Sequence, residues 1–320
     1  MIEKSYLRDE FLEEEYLTVE NLEKKHPLVD LCSDAGFKYV FGRAANKDIL
    51  LNFLNQVISD RKIVDLSYGR NEQIPENKHS KASRFDLYCT TNDGSRIIVE
   101  LQAKYQPFFV DRTLYYSTLP ILEQVRSGND CYRFDPVYCI NILAFKLKEL
   151  EKSDEVLSFF RFFEKEKNIE LTNKQTIIYI ELPKFNKSLE EIDKENALDV
   201  FFFCLKNIKD FKTIPASLDT KLAKRIFEAA ATAAMTTEQK IQYIRNMTTQ
   251  RDIRNQMQYE REQGIELGIK QGQEKGIELG IKQGSLNEKL RIAKSCKNCG
   301  IALELIAQCT GLSTEEVLAL

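Results

Sequence analysis

Apolar and polar positions follow a helical period in several parts of the chain. Residues 46–59 (NKDILLNFLNQVIS) place apolar side chains at i, i+1, i+4 and i+5, which predicts an amphipathic helix capped by Asn46. A shorter helix is predicted over 34–42 (DAGFKYVFG). From Leu189 to Arg254 the period is again helical. Helices are therefore predicted near the start of the chain and in the stretch after its centre.

Strand-type segments show a different pattern. Residues 136–145 and 174–185 are near-continuous apolar runs, which is typical of strands buried on both faces, and 62–69 also predicts a strand. A helix interrupted at Pro120 is predicted over 107–128. With the hairpin described next, the order is α-β-β-β-α-β-β followed by helices, which predicts an α/β core with a helical cap.

A β-hairpin is predicted where two runs of alternating polarity, RFDLYC and SRIIVELQ, flank the turn Asn92-Asp93-Gly94. A two-residue turn would mix charged and apolar side chains on each face. A three-residue loop, with Gly94 in the left-handed conformation, separates them. In that register one face is apolar and pairs Phe85 with Leu101, Leu87 with Val99 and Cys89 with Ile97. The other face pairs Asp86 with Glu100, Arg84 with Gln102 and Tyr88 with Ile98.

The predicted pairing of Asp86 with Glu100 needs a compensating charge, because like charges opposite each other destabilise a sheet. One interpretation is that Arg84 or Lys104 neutralises the pair at a solvated edge. The other is a hard divalent cation such as Mg²⁺, which takes one or two carboxylates and completes its shell with water and phosphate. Gln102 and Lys104 follow Glu100 at i+2 and i+4 and so point to the same face. They would place a donor and a cation beside such an ion.

Composition and charge limit the classes of function. The net charge of −3 over 320 residues means that binding to a polyanion needs a local basic patch, of which the best is 76–84 (ENKHSKASR). The chain has no apolar run that would span a bilayer, and its first residues are polar and acidic, unlike a signal peptide. Its eight cysteines therefore predict reduced thiols in a cytoplasmic protein.

Residues for zinc sites or Ser-His-Asp catalysis are few, because the sequence contains only two histidines. The CKNC motif at 296–299 lacks further ligands nearby and is interpreted as coincidental.

The C-terminal part has a repetitive composition. Gly recurs at every fourth position over 264–284, and the octapeptide GIELGIKQ occurs twice. Because each Gly costs a helix about 1 kcal/mol relative to Ala, a flexible or marginally helical linker is predicted over 263–285. The alternative is a stripe of small residues that lets two chains pack closely. The tail, 286–320, predicts short helices, the last with a capping box formed by Ser313 and Glu316. Its acidic end disfavours DNA, so the repeat and tail are candidate surfaces for self-association.

An Asp, then a turn, then Glu-x-Lys on adjacent strands is the pattern of PD-(D/E)XK nucleases. Within that group the chain resembles the Rpn family of recombination-promoting nucleases, the PD-(D/E)XK nuclease family transposases. The resemblance is carried, in order, by SDAGFKYVFG, NKDILLNFLNQVI, RFDLYC, DGSRIIVELQ, RTLYYST, YCINILAF and IELPKF. It implies a restriction-endonuclease-like α/β core, a mixed sheet flanked by helices, with a helical C-terminal extension. Together with the charged composition of the start and the repetitive composition of 264–284, it divides the chain into an N-terminal arm (1–27), the nuclease-like core (28–188), a helical region packed on the core (189–262), the repeat linker (263–285) and a small helical tail (286–320).

The resemblance also implies roles for single residues. Asp86 and Glu100 would be the ligands of Mg²⁺ or Mn²⁺, with Asp34 as an accessory acidic catalytic residue. Gln102 would occupy the Lys position of the family. Because Gln carries no charge, the cation that this position normally supplies would have to come from elsewhere, and the candidates are Lys104 and Lys38.

The implied partner is DNA, with no membrane contact. The candidate phosphate contacts are Arg84, Lys104, Arg112 and Tyr116. Arg112 and Tyr116 are spaced i, i+4 and share a helix face, although a core Tyr packed against the stem of an Arg gives the same spacing. The implied function is a metal-dependent DNA endonuclease of the transposase-associated type that hydrolyses phosphodiester bonds. The alternative is a non-catalytic DNA-binding or protein-interaction protein that retains the nuclease fold.

Overall fold

The computed structural model describes residues 17–69, 72–73, 83–125 and 132–320. The chain divides into two compact units, Met1–Thr248 and Thr249–Leu320. In the part described, no helix is both long enough and apolar enough to cross a bilayer. The helices are α1 (Leu22–Lys25), α2 (Asp34–Phe41), α3 (Lys47–Val57), α4 (Phe109–Gln124), α5 (Ala197–Asn207), α6 (Lys221–Ala230), α7 (Thr237–Asn298), α8 (Leu303–Thr310) and α9 (Thr314–Ala319).

The first unit is built on a mixed β-sheet, as predicted. The strands are β1 (Leu66–Tyr68), β2 (Glu72–Gln73), β3 (Ser83–Arg84), β4 (Leu87–Thr91), β5 (Arg96–Gln102), β6 (Val137–Leu143), β7 (Leu157–Phe163) and β8 (Glu170–Glu181). Among the described residues the main sheet has the order β1-β4-β5-β6-β8-β7, and β2 and β3 pair separately. Strands β5, β6 and β8 run parallel, whereas β1, β4 and β7 are antiparallel to their neighbours.

Helices cover both faces of this sheet. The larger core packs α2, α3, α5 and α6 on one face, with edge-on ring contacts such as Phe53 against Phe201, whose centroids are 5.2 Å apart. The smaller core packs α4 on the other face through Phe109. Every residue of β6 is buried. The continuous apolar run there confirms the prediction of a strand covered on both faces, because neither face meets water.

Three predicted elements differ from the structure in detail. The strand predicted over 62–69 is shorter and covers only Leu66–Tyr68. Before β1 begins, the backbone N–H of Ile63 donates to the side chain of Asn55 and is therefore not available for pairing with a strand. Asn46 precedes α3 but its side chain does not cap it, since its Oδ1 accepts a hydrogen bond from Arg225 instead. Helix α4 continues through Pro120 rather than breaking there.

Strand β7 was not predicted. Its sequence, LSFFRFF, forms the edge of the sheet, and Phe159, Phe160, Phe162 and Phe163 each keep 44–50% of their surface exposed. Apolar side chains on both faces remove the alternation that identifies a half-buried strand. Pairing with β8 therefore defines β7, and the register of this pairing shifts between Phe160 and Phe162.

The described part of the predicted N-terminal arm belongs to the first unit and packs on its larger core. Leu22 is fully buried in the larger core. The backbone of Thr232 donates to the Pro27 carbonyl, and Val29 N–H donates to the Ala230 carbonyl. These contacts give residues 17–33 a fixed place beside α6, which the charged composition of the segment did not indicate.

The glycine repeat lies inside α7, which runs over 62 residues, so of the two forms predicted for this linker the structure has the helical one and not the flexible one. A methyl group placed on any of the glycines from 264 to 284 would meet nothing within 4 Å, and the side chains between them are exposed. The residues between the glycines are mostly strong helix formers, and pairs such as Glu278 with Lys282 support the helix locally. The stripe of small residues stays a prediction of a surface for self-association.

The tail forms a small helical core of its own in the second unit. Ile306, Leu312 and Val317 pack with Ala293 of α7. The Ser313–Glu316 capping box at the start of α9 is confirmed, with both of its hydrogen bonds present. The short predicted helices are α8 and α9.

Candidate active site

The hairpin formed by β4 and β5 has the predicted register. Leu87 pairs with Val99 and Cys89 with Ile97, and the loop between the strands contains three residues. Gly94 has a φ of 84° in that loop, so the prediction of a left-handed glycine is confirmed.

Asp86 and Glu100 meet where this ladder ends. The backbone N–H of Asp86 donates to Oε1 of Glu100 over 3.1 Å. The N–H of Leu101 donates to Oδ2 of Asp86 over 2.8 Å. Each carboxylate thus accepts a backbone hydrogen bond from the opposite strand. The two side chains are held in place by the sheet itself.

One detail of the predicted faces is wrong. Phe85 does not lie with Leu87 on the face of the larger core, but packs on the other side of the sheet with Tyr88 and Tyr116. The chain bends at Asp86 before β4 starts, which breaks the alternation at that point. The second face is also apolar, because α4 covers it.

Burial makes the carboxylate pair electrostatically costly. Glu100 keeps only 7% of its surface exposed, and burial, followed by the charge of Asp86, raises its pKa to about 8. Burial also raises the pKa of Asp86, although the charge of Lys38 and the Leu101 N–H offset part of that rise. Near neutral pH the pair therefore favours a bound proton or a bound cation.

Lys38 forms an ion pair with Asp86. Ser33 caps α2 through the Gly36 N–H, and this start of the helix places Asp34 and Lys38 one turn apart on one face. The Lys38 ammonium lies 2.9 Å from Oδ1 of Asp86 and also binds Asp34. Burial alone would lower its pKa, but the hydrogen bond to Asp34 and the charge of Asp86 raise it overall. Lys38 therefore stays charged and joins the two aspartates.

Gln102 points toward a second cation. Its Oε1 accepts a hydrogen bond of 2.6 Å from Arg112 of α4, and its Nε2 donates to the Lys104 carbonyl over 2.8 Å. Arg112 also donates to Gln106 and lies over the rings of Tyr116 and Phe109. Its charge lowers the pKa of Glu100 in part. Gln102, which the sequence resemblance places at the Lys position, is thus bonded directly to a guanidinium.

The four predicted phosphate contacts have different outcomes. Arg112 and Tyr116 lie beside the carboxylate pair, and Lys104 lies on the loop that follows β5. Burial, and then the charge of Glu100, raises the pKa of Tyr116. The backbone of Arg84 pairs with Glu72, but its side chain and the basic patch over 76–82 lie outside the described residues.

The donor set suits a small hard cation held by two carboxylates. Among the described side chains, no group of three or more His, Cys, Asp or Glu residues is placed to hold a metal. Two carboxylates are nevertheless enough for Mg²⁺, which keeps several waters and takes the rest of its shell from substrate phosphate. The raised pKa values of Asp86 and Glu100 show that the pair is stabilised by added positive charge, which such an ion would supply. Asp34, bound to Lys38, lies at the edge of this set.

Two features of the site were only partly visible in the sequence. The spacing of Asp34 and Lys38 at i, i+4 predicts a contact between them, but not that Lys38 also reaches Asp86. The hydrogen bond between Gln102 and Arg112 joins a strand to a helix and has no signal in local spacing.

Comparison with known proteins bears on this geometry. The family model for PD-(D/E)XK nuclease family transposases matches residues 31–260, which is more than half of the chain and includes every residue of the site. No curated protein and no solved structure gives a significant match. The matched region contains the mixed sheet, the helices on both faces and the paired carboxylates. The chain is therefore a member of the PD-(D/E)XK nuclease family transposases.

Proposed function

We propose that the protein is a metal-dependent DNA endonuclease of the transposase-associated type, which hydrolyses phosphodiester bonds at the site of Asp86 and Glu100. The observation that carries the proposal is the buried carboxylate pair, held by backbone hydrogen bonds across β4 and β5. A fold that had no use for this pair would gain stability by losing one charge. Membership of a nuclease family supports the same chemistry.

Asp86 and Glu100 would hold Mg²⁺ or Mn²⁺. When bound, such an ion supplies a more acidic water and neutralises charge on the phosphate. Lys38 and Arg112 flank the pair and would offer positive charge to the phosphate oxygens on either side. Arg112 is well suited to this role, because a guanidinium matches the planar geometry of phosphate oxygens.

The second candidate is a non-catalytic DNA-binding protein that keeps the nuclease fold. The observation that favours it is Gln102, which cannot supply a charge and uses both ends of its amide within the protein. Arg112, at 2.6 Å from Gln102, answers this objection by placing a cation at the same position. We therefore favour the endonuclease.

The two candidates separate in one experiment on the whole chain. Supercoiled plasmid is incubated with the protein in Mg²⁺, in Mn²⁺ and in EDTA, and thermal unfolding is followed in the same three buffers. We expect nicking in either metal and none in EDTA, together with a melting temperature that rises by a few degrees in metal, since an ion at 100 times its Kd adds about 2.7 kcal/mol. If the protein binds DNA but neither nicks it nor changes its melting temperature when metal is added, the non-catalytic protein is favoured.

A prediction about Arg112 follows from its bond to Gln102. We expect Arg112→Met to slow nicking by about tenfold to a hundredfold, because positive charge at the phosphate is lost. Adding Gln102→Lys to that variant should recover part of the rate, since the new ammonium restores a cation. Gln102→Lys alone should not help, because it places two cations where a hydrogen bond of 2.6 Å now lies.

The control for this series is Arg291→Met, which removes an exposed ion pair with Glu288 in the second unit. It should nick at the rate of the unchanged protein. A full rate for Arg112→Met would exclude Arg112 as the source of the missing charge.

A further inference from the structure

Phe108, at the start of α4, has an unusual backbone and an unusual exposure. Its φ of 61° and ψ of 28° lie in the left-handed region. In the part of the chain that the structure describes, Asn168 is the only other non-glycine residue with positive φ. Asn tolerates that conformation, whereas a bulky side chain is strained in it. The Phe108 ring is nevertheless 78% exposed.

Neither feature stabilises the protein by itself. An exposed ring gains little from burial, and Gly would adopt the same backbone with less strain. A strained backbone that presents an exposed aromatic ring is typical of a contact with a ligand. Because 78% of the Phe108 residue is exposed, the partner that we test for its ring is a ligand.

The position of Phe108 indicates which ligand. Its carbonyl accepts the backbone N–H of Arg112 over 3.0 Å, and the Arg112 guanidinium binds Gln102. The loop that ends at Phe108 starts where β5 leaves the carboxylate pair, and it also carries Tyr105, which is 47% exposed. A DNA strand whose phosphate lies at the pair would pass beside this loop.

We infer that Phe108 stacks on an unpaired nucleobase adjacent to the phosphate bound at Asp86 and Glu100. This inference rests on the proposed function and adds the class of substrate to it. Stacking on an aromatic ring is open to any base whose face is free, and a paired base within a duplex offers that face only after unstacking. The preferred substrate is therefore DNA with an unpaired nucleotide at the site, such as a single strand, rather than an intact duplex.

The absence of Trp from the sequence allows a direct test. Phe108→Trp gives the chain its only indole, whose fluorescence is quenched when a base stacks on it. The matched control is Phe163→Trp on β7, an edge position that is 46% exposed and three strands away from β5. Each protein is titrated in EDTA, which prevents cleavage, with an oligothymidine strand and with the corresponding duplex. We expect quenching at position 108 by the single strand, weaker quenching by the duplex and none at position 163.

Affinity measurements separate a contact with DNA from a structural role. Phe108→Gly relieves the backbone, so its melting temperature should be equal or higher, while its affinity for the single strand should fall at least about fivefold. Phe108→Tyr, which keeps the ring, should bind within about twofold of the unchanged protein.

Two results would overturn the inference while leaving the proposed function intact. One is a Phe108→Gly variant that binds the single strand as tightly as the unchanged protein. The other is an indole at position 108 that stays unquenched while DNA binds. If neither the single strand nor the duplex binds to any form of the protein, the inference and the proposed endonuclease both fail.

Discussion

We expect nicking in Mg²⁺ to fall by at least about 100-fold when Asp86 is replaced by Asn or Glu100 by Gln. Both changes keep the shape of the side chain and its capacity to accept a backbone hydrogen bond, so the ends of β4 and β5 should stay in place. What each removes is one of the two negative oxygen ligands. Because the described residues provide no third carboxylate in position to replace them, a single loss should weaken metal binding severely.

The measurement compares initial nicking rates with the unchanged protein, and thermal unfolding with and without metal. Glu170→Gln is a suitable control, since Glu170 lies on β8, is 35% exposed and pairs with Arg161 rather than with the site. It should nick normally and keep the metal-dependent shift. Normal nicking by Asp86→Asn would mean that the catalytic site lies elsewhere in the chain.

Without metal, Glu100→Gln is expected to be more stable than the unchanged protein at alkaline pH. Burial and the charge of Asp86 raise the pKa of Glu100 from its ordinary value of 4.5 to about 8. Between those values the folded protein binds a proton that the unfolded chain has released, so the stability of the unchanged protein falls as pH rises through this window. Gln is neutral at every pH and avoids that loss.

The difference in the free energy of unfolding should be on the order of 4 kcal/mol at about pH 8.5 and should disappear below about pH 4.5. Unfolding by denaturant in EDTA, across that range of pH, measures it directly. Added Mg²⁺ should narrow the difference at alkaline pH, because it stabilises the unchanged protein and has little effect on the variant. Equal stability of the two proteins at alkaline pH would show that the pKa of Glu100 is not raised in the folded protein.

The local pattern of the sequence determined the elements that carry the site. The alternation of polarity around Gly94 sufficed for the register that brings Asp86 to Glu100, because a slip of one residue would exchange the faces of the strand. The apolar run over 136–145 predicted β6, since a strand covered on both faces consists almost entirely of apolar side chains. The alternation and the apolar run both depend on residues close together in the chain, so they can be recognised without a structure.

Only the tertiary structure decided how the charges of the site are compensated and where the less regular parts lie. Lys38 reaches Asp86 and Arg112 reaches Gln102 because packing brings α2 and α4 to the same end of β5, and the angles of that packing leave no periodic trace in the sequence. The bend that moves Phe85 to the other core also depends on contacts distant in sequence. The glycine repeat illustrates the limit of propensity. The cost of each Gly predicted a segment that is flexible or only marginally helical, whereas the structure has one helix there, which the helix formers between the glycines support and which begins within the first unit, where Tyr243 is buried.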